Sequence, residues 1–313
     1  MAEPLFRRLS LIGIGLIGSS IARAARAAGL VGEIVANART EATLAKVREL
    51  GIADRTEIDP AKAVAGADLV ILCTPVGALA DVTARIAPHL ESGAVLSDVG
   101  STKQSVIRDV EPLVPQGVHF VPAHPMAGTE FSGPEAGFAE LFQGRWTLLT
   151  PLPGSDEEAV ARVERFWQAM GAMTARMEPN HHDRVCAVVS HLPHLIAFTI
   201  CGTADHLEQQ AKEQVLDFAA AGFRDFTRIA ASDPTMWRDV FLNNKEAVLD
   251  MLGRFTEDLT MLQRAIRFGD GDTLFRLFSD ARTIRRGVVQ AGQDTAAPDF
   301  GRAADKGKGK AGT

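Results

Sequence analysis

Short apolar runs alternate with helix-forming stretches over the first 178 residues. The runs are Leu9–Ile12, Glu33–Ala36, Leu69–Cys73, Ala94–Asp98, Val118–Val121, Arg145–Thr150 and Met173–Met177. Turn-forming residues bound them, as they bound strands. The segments between, such as Glu41–Leu50 and Asp156–Met170, carry helical periodicity. Such alternation predicts an α/β fold, a parallel, doubly wound sheet. No strand pattern follows Pro179, and helical periodicity continues to about Gln290. Asp233-Pro234 reads as an N-cap and first helical residue, and Gly269-Asp270-Gly271-Asp272 as a turn between helices. The expected organisation is a Rossmann-like domain over 1–178, an all-α domain over 179–292 and a disordered tail over 293–313, rich in Ala, Gly, Lys and Asp.

Composition narrows the function classes. The 313 residues suffice for two domains with cores of their own, and 46% hydrophobic with 23% charged residues is ordinary for a globular protein. A net charge of −6 argues against a nucleic-acid partner. It also leaves an anionic substrate to be caught by local arginines. Cys73, Cys186 and Cys201 lie far apart in apolar surroundings, which predicts buried, reduced thiols and a cytoplasmic location. No signal-peptide pattern and no run of about 18 apolar residues is seen, so no membrane partner is expected. The chain has no tyrosine, which excludes any mechanism that needs a tyrosine acid.

Gly13-Ile14-Gly15-Leu16-Ile17-Gly18 follows the first apolar run and opens an alanine-rich helix. Strand, glycine turn and helix in this order form a dinucleotide-binding fingerprint: Gly13 for the turn, Gly15 for pyrophosphate approach, Gly18 for close helix packing. The phosphates would meet the free N–H groups at the helix start, at Leu16 and Ile17. An NAD-selective site places Asp or Glu at the end of the second strand. This chain has Asn37-Ala38-Arg39-Thr40 there, so Arg39 and Thr40 lean the reading toward NADP, or toward both NADP and NAD. Arg39 stacked on adenine would leave NAD acceptable. Cys73-Thr74-Pro75 ends the third strand, where the cofactor continues.

Two more strand ends carry chemistry. Ser101 and Thr102 follow Asp98-Val99-Gly100 and can cap the next helix; the Ser101 hydroxyl is also expected beside His124. His124 begins His-Pro-Met-Ala-Gly-Thr-Glu-Phe-Ser-Gly at the exit of the fifth strand, beside a flexible loop that holds Thr129 and Glu130; a surface histidine in a loop is the plainer alternative. Ligands of open α/β sheets bind at such strand ends.

The helical half supplies Ser190-His191-Leu192-Pro193-His194 and Gly222–Trp237. Ser190 and His194 share a helical face at i, i+4. Pro193 inside a helix costs about 3 kcal/mol unless it kinks the helix usefully. His181 and His182 are close by, yet no metal-binding spacing is present and no metal is expected. Asp225, Arg228 and Ser232 fall on one helical stripe, with Arg228 placed to bind a carboxylate. A structural Arg228–Asp225 pair is the plainer alternative.

Taken together, the glycine loop, Asp98–Lys103, His124–Gly133, Ser190–His194 and Gly222–Trp237 resemble the prephenate/arogenate (cyclohexadienyl) dehydrogenases, in order, across residues 7 to 290. The resemblance implies oxidative decarboxylation of prephenate to 4-hydroxyphenylpyruvate, or of arogenate to tyrosine, with hydride passing to NAD or NADP. It implies that His124 is the base and that Ser101 orients it and the nicotinamide. Arg228 falls on the family's substrate arginine, and His194 and Ser190 on substrate contacts. Glu130, Asp225, Ser232 and Trp237 match residues that shape or gate the pocket. It further implies a homodimer through the helical domain and a monofunctional enzyme. Two other readings compete: a β-hydroxyacid dehydrogenase or imine reductase using Lys212 or Lys245, and a non-catalytic dinucleotide sensor.

Overall fold

The computed structural model describes residues 3–206 and 219–290. Lys212 and the 293–313 tail lie outside them. Two compact units divide the chain, Met1–Met251 and Leu252–Thr313.

Six strands of the first unit form a parallel sheet: β1 (Phe6–Ile12), β2 (Val31–Asn37), β3 (Arg55–Glu57), β4 (Leu69–Leu72), β5 (Val95–Asp98) and β6 (His119–Val121). Their order is β3-β2-β1-β4-β5-β6, the dinucleotide-binding order with its switch point between β1 and β4. Both faces are covered, so the central strands are buried in continuous runs, such as Leu69–Leu72, rather than at alternate positions. Leu9, Leu11, Leu69, Ile71 and Val95 pack into one layer. Their neighbours Ile12, Val70, Leu72 and Leu96 pack into the other. On the first side lie α1 (Leu16–Ala27), α2 (Glu41–Glu49) and α6 (Glu157–Ala169); on the second, α3 (Pro60–Val64), α4 (Leu79–Ile86) and α5 (Lys103–Val110).

One expectation changes here. The last two expected strands do not extend the large sheet. β8 (Trp146–Leu149) and β9 (Met173–Arg176) form a second sheet with β7 (Ala123–Pro125). β7 runs antiparallel to β8, and β8 parallel to β9. β3 and β7 were not expected: at three residues each they are too short to show a period.

No strand follows β9 among the described residues. The first unit continues with α7 (Pro179–Cys186), a π-helical turn over Ala187–His191, α8 (Leu192–Asp205), α9 (Ala221–Thr227) and α10 (Pro234–Asn243). Asp233 caps α10 by accepting from the Met236 N–H at 2.8 Å. α11 (Lys245–Phe268) starts in the first unit and ends in the second, which also holds α12 (Gly271–Gln290). The second unit exposes Met261, Ile266, Phe268, Phe275, Phe278 and Ile284.

Contrary to expectation, one helical stretch, Pro179–Asp205, is long and apolar enough to cross a membrane by length and composition. Four of its polar residues, His182, Asp183, His191 and His194, help build the site described next.

Candidate active site

The glycine turn has the shape that phosphate binding needs. Gly13 sits at φ +97°, and a Cβ there would lie 2.8 Å from the Cys73 carbonyl oxygen. A Cβ on Gly18 would collide with the Gly13 carbonyl oxygen, which explains how closely α1 packs on the turn. A Cβ on Gly15 would meet nothing within 4 Å, so a ligand can approach that backbone. Gly15 is also the N-cap of α1 and brings no side-chain oxygen to its first turn, Leu16-Ile17-Gly18. Across the switch point, Thr74 Oγ1 is buried without a hydrogen-bond partner, and burial raises the neighbouring Cys73 thiol. Pro75 is exposed. An open cradle, free N–H groups and an orphaned hydroxyl all fit a dinucleotide. At the end of β2, the Asn37 amide is spent on the carbonyls of Glu57 and Ile58. Arg39 is exposed, and the Thr40 hydroxyl caps α2 through the Thr43 N–H.

His124 lies beyond β6, as expected, but inside a short strand of its own. It is the middle residue of β7, opposite Leu148, and only 8% exposed. A buried ion pair fixes the residue before it. Lys103 Nζ lies 2.5 Å from Asp98 Oδ2 and donates to the Ala123 carbonyl at 2.7 Å. Asp98 Oδ1 accepts from the Ala123 N–H at 3.2 Å. Such pairs cost desolvation and stabilise only when their remaining hydrogen bonds are satisfied; here the Gly100 N–H also donates to Asp98, at 2.7 Å.

The hydrogen-bond partner of His124 is His182, not Ser101: His124 Nδ1 and His182 Nε2 are 2.9 Å apart. Burial first, then His182, Lys103 and His191, push His124 well below the usual histidine value. It is therefore neutral near pH 7. Ser101 is half-buried at the start of α5, its backbone beside His191. Neither Ser101 nor Thr102 caps α5. Asp183 does so from α7, accepting the Lys103 and Gln104 N–H groups at 2.6 and 2.9 Å. A carboxylate from a distant helix replaces the local hydroxyl, and Thr102 Oγ1 instead meets Ser105 Oγ at 2.8 Å.

The π turn answers the question posed by Pro193. A proline ring clashes with the preceding turn, and a π turn just before it absorbs the mismatch; such turns recur at functional sites. It leaves His194 Nδ1 donating to the Ser190 carbonyl at 2.8 Å, so Ser190 engages His194 through its backbone. His194 stacks on Trp237, with ring centroids 3.7 Å apart and planes at 22°. Trp237 Nε1 and His191 Nε2 are buried without hydrogen-bond partners. Burial first, then Arg228 among its causes, lowers His194, which places the guanidinium's field on this ring.

Arg228 itself pairs with Glu130, Nη1 to Oε2, at 2.9 Å, and not with Asp225 in the i, i−3 arrangement. The expected stripe of Asp225, Arg228 and Ser232 is broken. α9 ends at Thr227, a 3-10 turn covers Arg228–Ala231, and Ser232 is extended with φ −66° and ψ 158°. Asp225 and Ser232 are half-buried, while Thr129 is exposed and accepts from the Phe131 N–H at 3.3 Å.

Comparison with known proteins decides the family. The nucleotide-binding domain of prephenate dehydrogenase matches residues 21–176, and the dimerization domain of prephenate dehydrogenase matches residues 178–280. The chain belongs to the prephenate dehydrogenase family. It is 40% identical to the cyclohexadienyl dehydrogenase of Zymomonas mobilis, over 90% of this chain and 96% of that protein. Its fold superposes on prephenate dehydrogenase from Aquifex aeolicus in complex with hydroxyphenyl propionate and NAD+, with a TM-score of 0.84 and 31% identity over 92% of this chain and 99% of that one. Arogenate dehydrogenase from Synechocystis superposes with a TM-score of 0.74 and 25% identity, over 90% and 99%. The chain is thus a nicotinamide-linked dehydrogenase of the oxidative decarboxylation that serves tyrosine biosynthesis. The sensor and imine-reductase readings fall away, and Lys245 is exposed.

Within this prephenate dehydrogenase fold, several site residues escaped sequence reasoning. Lys103 was read only as the end of a strand-exit motif, and His182 only as a possible metal ligand. Asp183 and Asn244 were not singled out, and Cys186 was read only as a buried thiol. Asn244 Nδ2 donates to the Asp183 carbonyl at 2.8 Å and lies 3.1 Å from His191 Nδ1. A His-Asp pair in a polar helical turn that leads into an apolar helical stretch was the available signal. Cys186 is not in apolar surroundings: its sulfur is 3.5 Å from His182 Nε2 and 3.7 Å from His124 Nδ1. Burial pushes this thiol up to about 12. The three donor atoms lie within 4.8 Å of one another, close enough for a metal ion. In this structure they are spent on each other.

Proposed function

We infer that this dehydrogenase acts on prephenate, arogenate or both, in the cleft where β7, the π turn and the Arg228 segment meet. His124 is the base that takes the ring hydroxyl proton, and Arg228 receives a substrate carboxylate. His194, Ser190, Thr129, Asp225, Ser232 and Trp237 shape the pocket, and Ser101 faces the reacting groups.

The observations that carry this reading are a neutral, buried His124 and an Arg228 whose field falls on His194 and whose ion pair with Glu130 is replaceable. Arg228 and Glu130 are 50% and 22% exposed, and an exposed pair contributes about 1 kcal/mol at most. A substrate carboxylate making a bidentate contact offsets its loss. A neutral imidazole in turn suits proton abstraction near pH 7.

Gly13, Gly15, Gly18, Leu16, Ile17, Thr74 and the Cys73-Pro75 backbone would hold the dinucleotide, which when bound supplies a hydride acceptor. Arg39 and Thr40, with no carboxylate at the end of β2, favour NADP or use of both cofactors. Residues 1–178 carry the cofactor and 179–292 the substrate contacts and a dimer interface. The exposed apolar residues of α11 and α12 support a homodimer, as does the matched dimerization domain. The same cover would explain why only 22% of the apolar window in Pro179–Asp205 is buried. A cytoplasmic location accords with this reading, and proton transfer to His124 needs no metal.

The test is absorbance of the reduced nicotinamide with prephenate, then arogenate, each with NAD and with NADP, in the presence and absence of a chelator. Turnover with at least one pair, indifferent to chelator, is expected. No turnover with any of the four pairs contradicts the substrate assignment.

A further inference from the structure

The hydrogen bonds around His124 continue through a second histidine to a carboxylate, and each proton can be assigned. Both Asp183 oxygens accept backbone N–H groups, from Lys103 and Gln104. Burial alone would raise this carboxyl. The His182 hydrogen bond and the two N–H groups outweigh burial and hold it below its ordinary value. An ionised carboxylate can only accept. The proton in the 2.8 Å contact between His182 Nδ1 and Asp183 Oδ1 therefore belongs to His182. Burial, only partly opposed by Asp183, lowers His182 and keeps it neutral. Its Nε2 is then a lone pair.

That lone pair faces His124 Nδ1 at 2.9 Å. Two ring nitrogens at this separation need one proton between them, and the proton of His182 is already committed. His124 must supply it. The Cys186 thiol, 3.5 Å from His182 Nε2, is a weaker and more distant donor that does not displace it.

We propose that His182 and Asp183 are positioning residues that lock His124 in its Nδ1–H tautomer, which makes Nε2 the base nitrogen. This rests on the reading of His124 as the base. When the substrate O–H bond breaks, the proton bonds to Nε2 and the electron pair stays on oxygen. The imidazolium keeps its Nδ1–H on His182, one ring away from the Asp183 charge. Asp183 itself stays ionised, as the carboxylate of a hydrolase triad does. The same carboxylate caps α5, so the geometry of the base is tied to the helix that follows Ser101.

Histidine-labelled nitrogen NMR on the free wild-type enzyme tests the tautomer without any turnover. The expected result is a protonated Nδ1 and a bare Nε2 for His124, assigned by their loss in His124→Asn. A proton on Nε2 overturns the proposal. Kinetics tests the role. His182→Leu should lower kcat about 100-fold with KM within about twofold, and His182→Gln, whose amide oxygen can still accept from Nδ1, should recover to within about 10-fold of wild type. An unchanged kcat in His182→Leu overturns it, as does an equal loss in both variants. If the leucine variant does not fold, the glutamine variant and the wild-type NMR still decide. Absence of wild-type turnover would sink the substrate assignment and leave the NMR result standing.

Discussion

Arg228 and Glu130 stand 98 positions apart in sequence and meet at 2.9 Å. The contact joins the loop that follows β7 to the helical segment that follows β9, and it brings together two residues singled out for substrate on separate grounds. Replacing Arg228 with Ala should raise KM for the carboxylate substrate by about 30- to 1,000-fold, with a smaller effect on kcat. Stability should change by less than about 1 kcal/mol, because the pair is exposed. Steady-state kinetics and a denaturation curve check both halves. An unchanged KM would return Arg228 to a structural role.

The Lys103–Asp98 pair behaves differently because both side chains are fully buried. Lys103→Ala strands a buried carboxylate and should cost about 3–5 kcal/mol. Asp98 and Lys103 together hold Ala123, so activity should fall along with stability. Lys103→Met with Asp98→Leu removes both charges and should cost far less than the single alanine change. Urea denaturation of the three proteins measures this. An additive loss in the double variant would count against a paired charge.

Acid should weaken the fold in a defined window. Burial lowers His124, His182 and His191, the last to about 4. Between these folded values and the unfolded value of about 6.5, the unfolded chain binds more protons than the folded one. Stability is therefore present above pH 6.5 and is lost as pH falls through that window, by up to about 1.4 kcal/mol per pH unit for each histidine. Denaturation midpoints at pH 7.5, 6.0 and 5.0 should fall in that order. A flat profile would mean that these rings are not buried neutral.

For the cofactor, Arg39→Ala should weaken NADP by about 10-fold or more and NAD by much less, since a charge-assisted contact to the extra phosphate contributes about 1.5–3 kcal/mol. Dissociation constants measured by fluorescence titration check this. Equal losses for both dinucleotides would place Arg39 against adenine.

The fold was legible where physics is local. Leu9–Ile12, Gly13 to Gly18 and the alanine-rich start of α1 announce their turn through residue types, and Asp233-Pro234 announces its helix through a cap. A strand of three residues carries no period, so β7 was hidden and His124 was placed only at the exit of the strand before it. The capping of α5 by Asp183 and the pairing of His124 with His182 are long-range, 80 and 58 positions apart. No spacing rule reaches that far. The break at Arg228 was hidden for another reason: helical periodicity continues past Thr227, while the chain turns early into a 3-10 segment.

The central claim is that a neutral imidazole at position 124 is the base. The most direct measurement is turnover of His124→Asn beside wild type, with substrate and dinucleotide binding measured on both. The account predicts a fall in kcat of about 100-fold or more with both affinities retained. Turnover near the wild-type rate in a folded His124→Asn enzyme would contradict it.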